Sequence, residues 1–109
     1  MKYMMFVCTD TEPETDDAAI PDIDVWVAEN DANGRRVLGD ILAAPSAATT
    51  VRVRKGELLL SDGPFAETKE VIAGFDIIEC ADLDEAIEVA AKHPISRFGM
   101  IEVRPFWTG

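Results

Sequence analysis

Little in this chain commits it to a membrane, a metal or a nucleic acid. No apolar run approaches the roughly 20 residues that a bilayer-spanning helix needs. The opening run Met4 to Cys8 is too short for a secretory signal core and is closed by Asp10, so a cytoplasmic location is expected. Cysteine occurs only as Cys8 and Cys80, in separate strand-like runs without CxxC spacing, which argues against thiol metal and redox pairs. Both read as buried thiols. A disulfide between them would need neighbouring strands, and the cytoplasm disfavours one. Histidine occurs once, as His93, and a lone imidazole without clustered thiols is a poor basis for a transition-metal site. There is no HExxH and no Rossmann glycine fingerprint. Gly34 to Gly39 has phosphate-loop glycine spacing, but Asp40 stands where the lysine is required. Neither a metal nor a cofactor is expected.

Positive charge is also scarce. Ten Lys and Arg stand against 21 Asp and Glu, a net charge of −11, and such a surface repels nucleic-acid phosphates and anionic lipid. No nucleic-acid or membrane partner is expected. An anionic ligand would need a local patch built from Arg52, Arg54, Lys69, Arg97 or Arg104.

What is present suits one folded domain spanning residues 1–109, with 48% hydrophobic and 28% charged residues. A chain of this size buries roughly two thirds of its unfolded surface. Tyr3 to Thr9 is apolar on both alternating faces, the mark of a strand covered on both sides. Asp10 to Pro21 is an acidic, solvated connection or a flap over a site. From Asp22 as N-cap, Ile23, Trp26 and Val27 recur at helical spacing, and Gly34 is the natural stop. Val37 to Ala43 reads as a strand interrupted by Gly39 and Asp40. Thr50 to Arg54 alternates cleanly, Lys55-Gly56 turns the chain, and Glu57 to Ser61 returns as a hairpin. Ile72 to Cys80 is a second doubly apolar strand. Asp82 and Glu85 have capping-box spacing ahead of the apolar stripe Leu83, Ala86, Ile87, Ala90 and Ala91. His93-Pro94 ends that helix. Gly99 to Arg104 closes the chain as a strand with Ile101 and Val103 inward.

This order matches an α+β ferredoxin-like sandwich with an inserted β-hairpin. Two helices cover one sheet face only. The doubly apolar strands then predict that a second copy buries the other face, giving a homodimer by sheet-to-sheet packing. Following strand directions, one end of the sheet collects His93, the stretch Asp62 to Glu70, the acidic connection and the start of the first helix near Trp26.

That stretch, DGPFAETKE, fits neither helix nor strand periodicity and reads as a shaped loop. Asp-Gly-Pro is common turn language. The functional reading holds Asp62 at a pocket edge beside Glu67, Lys69 and Glu70. Asp62 and His93 are the Asp-His combination that the topology gathers, and such a pair can move protons. The plainer reading of His93 is an imidazole at a helix C-terminus, favoured by the dipole. Ser96 and Thr68 read as loop hydrogen-bonders. Trp26 and Trp107 read as core or dimer contacts, with ligand stacking as the second reading.

Residues 62–70, the surrounding ATTVRVRKGELLLSDGPFAETKEVIAGFDII, the DLDEAIEVAAKHP segment and the closing IEVRP resemble the YCII-related proteins, in particular their DGPF branch. The resemblance covers essentially the whole chain. It implies a dimeric α/β barrel of ferredoxin-like subunits and an enzymatic activity resting on an Asp and a His, which motif match places at Asp62 and His93. It also implies a link to an extracytoplasmic-function sigma factor, beside which members of this branch are often encoded. The leading expectation is a small-molecule enzyme, isomerase- or lyase-like, that transfers a proton through His93 and Asp62, with Lys69 or Arg97 holding an anionic substrate group and Trp26 lining the site. The alternative is a non-catalytic ligand-binding or interaction protein associated with that sigma factor.

Overall fold

Strand alternation decides which side chains meet the helices and which face outward. A computed structural model describes residues 1–10, 22–63 and 70–109. The chain runs β1 (Lys2–Asp10), α1 (Ile23–Ala32), β2 (Arg36–Ile41), β3 (Thr49–Arg54), β4 (Glu57–Asp62), β5 (Glu70–Glu79), α2 (Leu83–Ala91) and β6 (Met100–Pro105), with 3₁₀ turns at Pro45–Ala47 and Pro94–Arg97. Expectations for the acidic connection and for loop residues 64–69 lie outside the described residues.

The main sheet has the order β2-β5-β1-β6, and β3 and β4 form a second, two-stranded sheet. Every described pairing is antiparallel. The architecture is α+β, and the four-stranded sheet stays open rather than closing into a barrel. Tyr3, Met5 and Ile78 on one face join Trp26, Ala86, Val89 and Ala90 from the helices in the core. On the other face, Met4 and Phe6 lie opposite Ile77 and Phe75. Those four are half-buried, because both helices pack on the first face.

The helix signals act largely as their chemistry requires. Asp22 accepts from the Asp24 N–H at 2.9 Å, and Asp82 accepts from the Glu85 N–H at 2.9 Å, each quieting an amide without an intrahelical partner. Glu85 accepts from the Ala81 N–H at 3.3 Å rather than from Asp82 itself, so the reciprocal half of the capping box is displaced by one residue. The apolar stripe of α2 also differs from expectation. Ala86, Val89 and Ala90 are buried, whereas Leu83 and Ile87 are each 50% exposed. Trp26 accounts for the rotation: it fills the space beneath α2 and its indole N–H donates to the Val89 carbonyl at 2.9 Å. Small residues on α2 face that bulk.

Gly39, expected only as an interruption of β2, has a packing role. A Cβ there would collide with the Asp76 carboxylate. Asp76 lies on the helix side of β5 opposite Gly39, is only 6% exposed, and accepts from Arg36 Nε at 2.9 Å. Arg36 also donates to Asp31 at 3.1 Å and to the Gly39 carbonyl at 2.9 Å. Burial raises the Asp76 carboxyl above its ordinary value, partly offset by the Arg36 hydrogen bond.

The strands of Cys8 and Cys80 are neighbours, yet no disulfide can join them. Cys8 faces Ile72, while the Cys80 N–H donates to the Met1 carbonyl at the other end of β1. At ~3.3 Å per residue the separation is ~23 Å, far beyond disulfide reach.

Candidate functional site

One end of the sheet gathers the connections that hold the expected site residues. There β1 pairs its last residues with the start of β5, Asp10 opposite Glu70, and with the start of β6, Cys8 opposite Met100. At the same end β2 finishes, Ile41 opposite Gly74, and the Leu42 N–H donates to the Ala73 carbonyl at 2.8 Å. The chain leaves β2 for the hairpin here and enters β6 from His93. Gly99 tightens this end, since a Cβ on it would run into the Cys8 carbonyl.

His93 is held on every side but one. Its backbone is extended (φ −68°, ψ 133°), as a residue before proline must be. Its backbone N–H donates to the Ala90 carbonyl at 3.1 Å, and its Nδ1 accepts from the Ile95 N–H at 3.1 Å. The ring meets Trp26 edge-on, with centroids 4.7 Å apart and planes at 66°. The residue is 4% exposed. Burial lowers its pKa to about 4, because a charged ring would lose its hydration. The ring is therefore neutral at pH 7. With the Nδ1 lone pair taken by Ile95, the hydrogen-bond network assigns the remaining proton to Nε2. Among the described residues Nε2 has no hydrogen-bond partner, so it is a donor available to something else. Ser96 closes the turn, donating to the Ala91 and His93 carbonyls at 3.0 and 2.7 Å.

Asp62 is placed differently. It is the last residue of β4, opposite Thr49, and exposed, so the shaped loop begins one residue later than expected. Gly63, at φ +86°, holds the base of the hairpin: its N–H donates to the Ala48 carbonyl at 2.7 Å, and its carbonyl accepts from Thr50 Oγ1 at 2.8 Å. Only glycine takes that backbone conformation readily. Among the described residues, the Asp62 carboxylate makes no hydrogen bond, either to its turn or to His93. Asp62 and His93 thus share one end of the fold without touching.

Of the other expected site residues, Trp26 is a core residue, 3% exposed, that buttresses the His93 ring. Arg97 ends the 3₁₀ turn that follows His93 and is partly buried. Lys69 lies outside the described residues. Between α2 and β6 runs an open apolar groove of about 340 Å³, lined by Ile87, Ala90, Met100, Ile101 and Val103, with Ser96 at its margin.

The chain matches the YCII-related domain over residues 1–108. It belongs to the YCII-related family. An uncharacterised protein of Rhizobium meliloti (strain 1021) is 47% identical over 66 residues, which is 59% of this chain and 53% of that protein. The chain thus spans about half the length of the curated relative it matches.

In this YCII-related chain the sequence reading overlooked two polar supports. Asn30 is buried beneath the site and donates to the Trp26 carbonyl at 2.8 Å, stiffening the turn that carries the indole. Asp76 and Arg36 tie β5 to the start of β2. An acidic residue inside the apolar run Val71 to Ile78 was the available signal for the second, since a buried carboxylate requires a partner.

Proposed function

We propose that this protein is a small-molecule enzyme that works by proton transfer, isomerase- or lyase-like, with Asp62 as proton acceptor and His93 as donor. The observation that carries this reading is the buried, neutral His93, whose Nδ1 is engaged by Ile95 and whose Nε2–H is left to donate. A neutral imidazole N–H can polarise a carbonyl or protonate a leaving oxygen, while an ionised carboxylate removes a proton. In this reading Arg97, in the turn beside His93, contributes positive charge near an anionic substrate group. The DGPFAETKE signature supports membership of the DGPF branch.

The order β2-β5-β1-β6 supports a ferredoxin-like sandwich with β3–β4 as an insert. Its apolar outer face, Met4, Phe6, Phe75 and Ile77, supports a homodimer packed sheet to sheet into a barrel.

The competing reading is a non-catalytic binding protein linked to a sigma factor. It is favoured by the lack of contact between Asp62 and His93 within one chain. Deuterium uptake from D₂O into a panel of cyclic and unsaturated substrates separates the two. The enzyme reading expects uptake that falls roughly 10²–10⁴-fold in Asp62→Asn and in His93→Ala. Unchanged uptake in both folded variants would leave the binding reading.

A further inference from the structure

The outermost strand of the main sheet turns part of its backbone to open space. β6 pairs with β1 on one side, and among the described residues no strand pairs with it on the other. The Phe106 N–H donates to the Lys2 carbonyl at 3.1 Å. By the two-residue period of a strand, Glu102 and Arg104 then direct their N–H and C=O groups to β1, and Ile101 and Val103 direct theirs away from it. Such an edge is a template for a further strand. Pro105, next in the outward set, has no N–H to offer and ends the template.

Ile101 and Val103 also send side chains into the groove of about 340 Å³ between β6 and α2, beside Ile87, Ala90 and Met100. Ile87 and Met100 are 50% and 40% exposed, so apolar surface stands open next to the open edge. An edge strand flanked by an apolar groove suits an extended peptide, whose main chain continues the sheet while alternate side chains fill the groove. A purely apolar ligand would fill the groove yet offer nothing to the main-chain groups of Ile101 and Val103. The surroundings add a charge preference. Asp84 and Glu88, both exposed, precede Ile87 and Ala91 by three residues and so lie beside them on α2. Glu102 stands on the other face of β6. Lys92 and Arg104 are the opposing cations, and Arg104 is engaged by Glu102 at 2.7 Å. We propose that the β6 edge and the α2 groove bind an extended basic segment of another protein, apolar at alternate positions, as an added antiparallel strand. Its apolar side chains enter the groove, where Asp84 and Glu88 disfavour acidic ones, and its basic side chains emerge on the face of Glu102. The site is separate from Asp62 and His93 and does not rest on the proton-transfer reading.

The test uses nitrogen-15-labelled protein and short, blocked, fluorescent peptides of alternating lysine and valine. Anisotropy reads binding, and amide hydrogen exchange by NMR reads the edge. In the free protein the Ile101 and Val103 amides should exchange faster than those of Glu102 and Arg104. With saturating peptide they should slow at least about tenfold. Across the antiparallel ladder the valines share hydrogen bonds with Ile101 and Val103. N-methylation of the valine amides should therefore weaken binding at least about tenfold, whereas N-methylation of the lysine amides should change it little. Ile87→Lys, at an exposed position and with folding checked by circular dichroism, should weaken it by a similar factor. Equal binding of the two methylated peptides, or of a peptide with the same residues in blocks, would overturn strand addition and leave only charge attraction. Absence of binding would overturn it as well. So would Ile101 and Val103 amides that are already slow in the free protein, since the edge would then be covered by the chain itself or by a second copy, which sedimentation distinguishes.

Discussion

The sheet-and-helix body and the β3–β4 hairpin bury apolar side chains in opposite ways. In the body, Met5 and Ile78 are fully enclosed and Trp26 nearly so, within one core that also fixes His93. In the hairpin, four aliphatic side chains stand in the open around a carboxylate without a partner among the described residues. The difference separates the surroundings of two side chains. Folding alone sets the protonation of His93, whereas the environment of Asp62 depends on what covers the hairpin.

Substitutions sharpen that contrast, beginning with the body. Trp26→Ala should cost about 3–5 kcal/mol in chemical denaturation, the usual range for emptying an aromatic site in a core. The same variant should loosen His93, visible as a higher imidazole pKa. A loss below about 1 kcal/mol would mean that the indole does not organise this region.

The next effect comes from pH. His93 folds with a pKa of about 4 against an ordinary 6.5, so the unfolded chain binds a proton that the folded chain refuses between those values. Its contribution is fully present above pH 6.5 and is lost as pH falls toward 4. The shift corresponds to about 3 kcal/mol at most. Measured against His93→Gln, wild-type stability should therefore fall more steeply from pH 7 to pH 4. Parallel curves would contradict the buried, neutral ring.

Gly39→Ala should cost about 1–3 kcal/mol, because the added methyl displaces the Asp76 carboxylate from Arg36. A neutral result in thermal melts would mean that β2 shifts to make room. Smallest is Leu58→Ala, which should change the stability of the isolated chain by no more than about 0.5 kcal/mol, as for other exposed positions. A core-sized loss there would show that the hairpin packs on its own body, and the contrast between the two regions would collapse.

Much of the body was legible from local chemistry. Asp82 capping α2, the alternation in β1 and β5, and His93-Pro94 as a helix stop each depend on neighbours a few residues away, which sequence displays directly. The face of α2 was misread because Leu83 and Ile87 look like core residues until Trp26, far away in sequence, takes their place. Gly39 looked like a flaw in a strand for the same reason, since its cause is Asp76 across the sheet. At the site, the topology brought His93 and the hairpin to one end of the sheet. It could not fix the tautomer of His93, which depends on a single amide, that of Ile95. Nor does strand order say that Asp62 shares a face with Val51 and Leu60; that follows from pairing register.

The central claim is that the body alone holds His93 neutral, with its proton on Nε2. Nitrogen-15 NMR of the imidazole across a pH titration tests it most directly. The account predicts a single Nε2–H tautomer at pH 7 and a titration midpoint near 4. Mixed tautomers with a midpoint close to the ordinary 6.5 would contradict it.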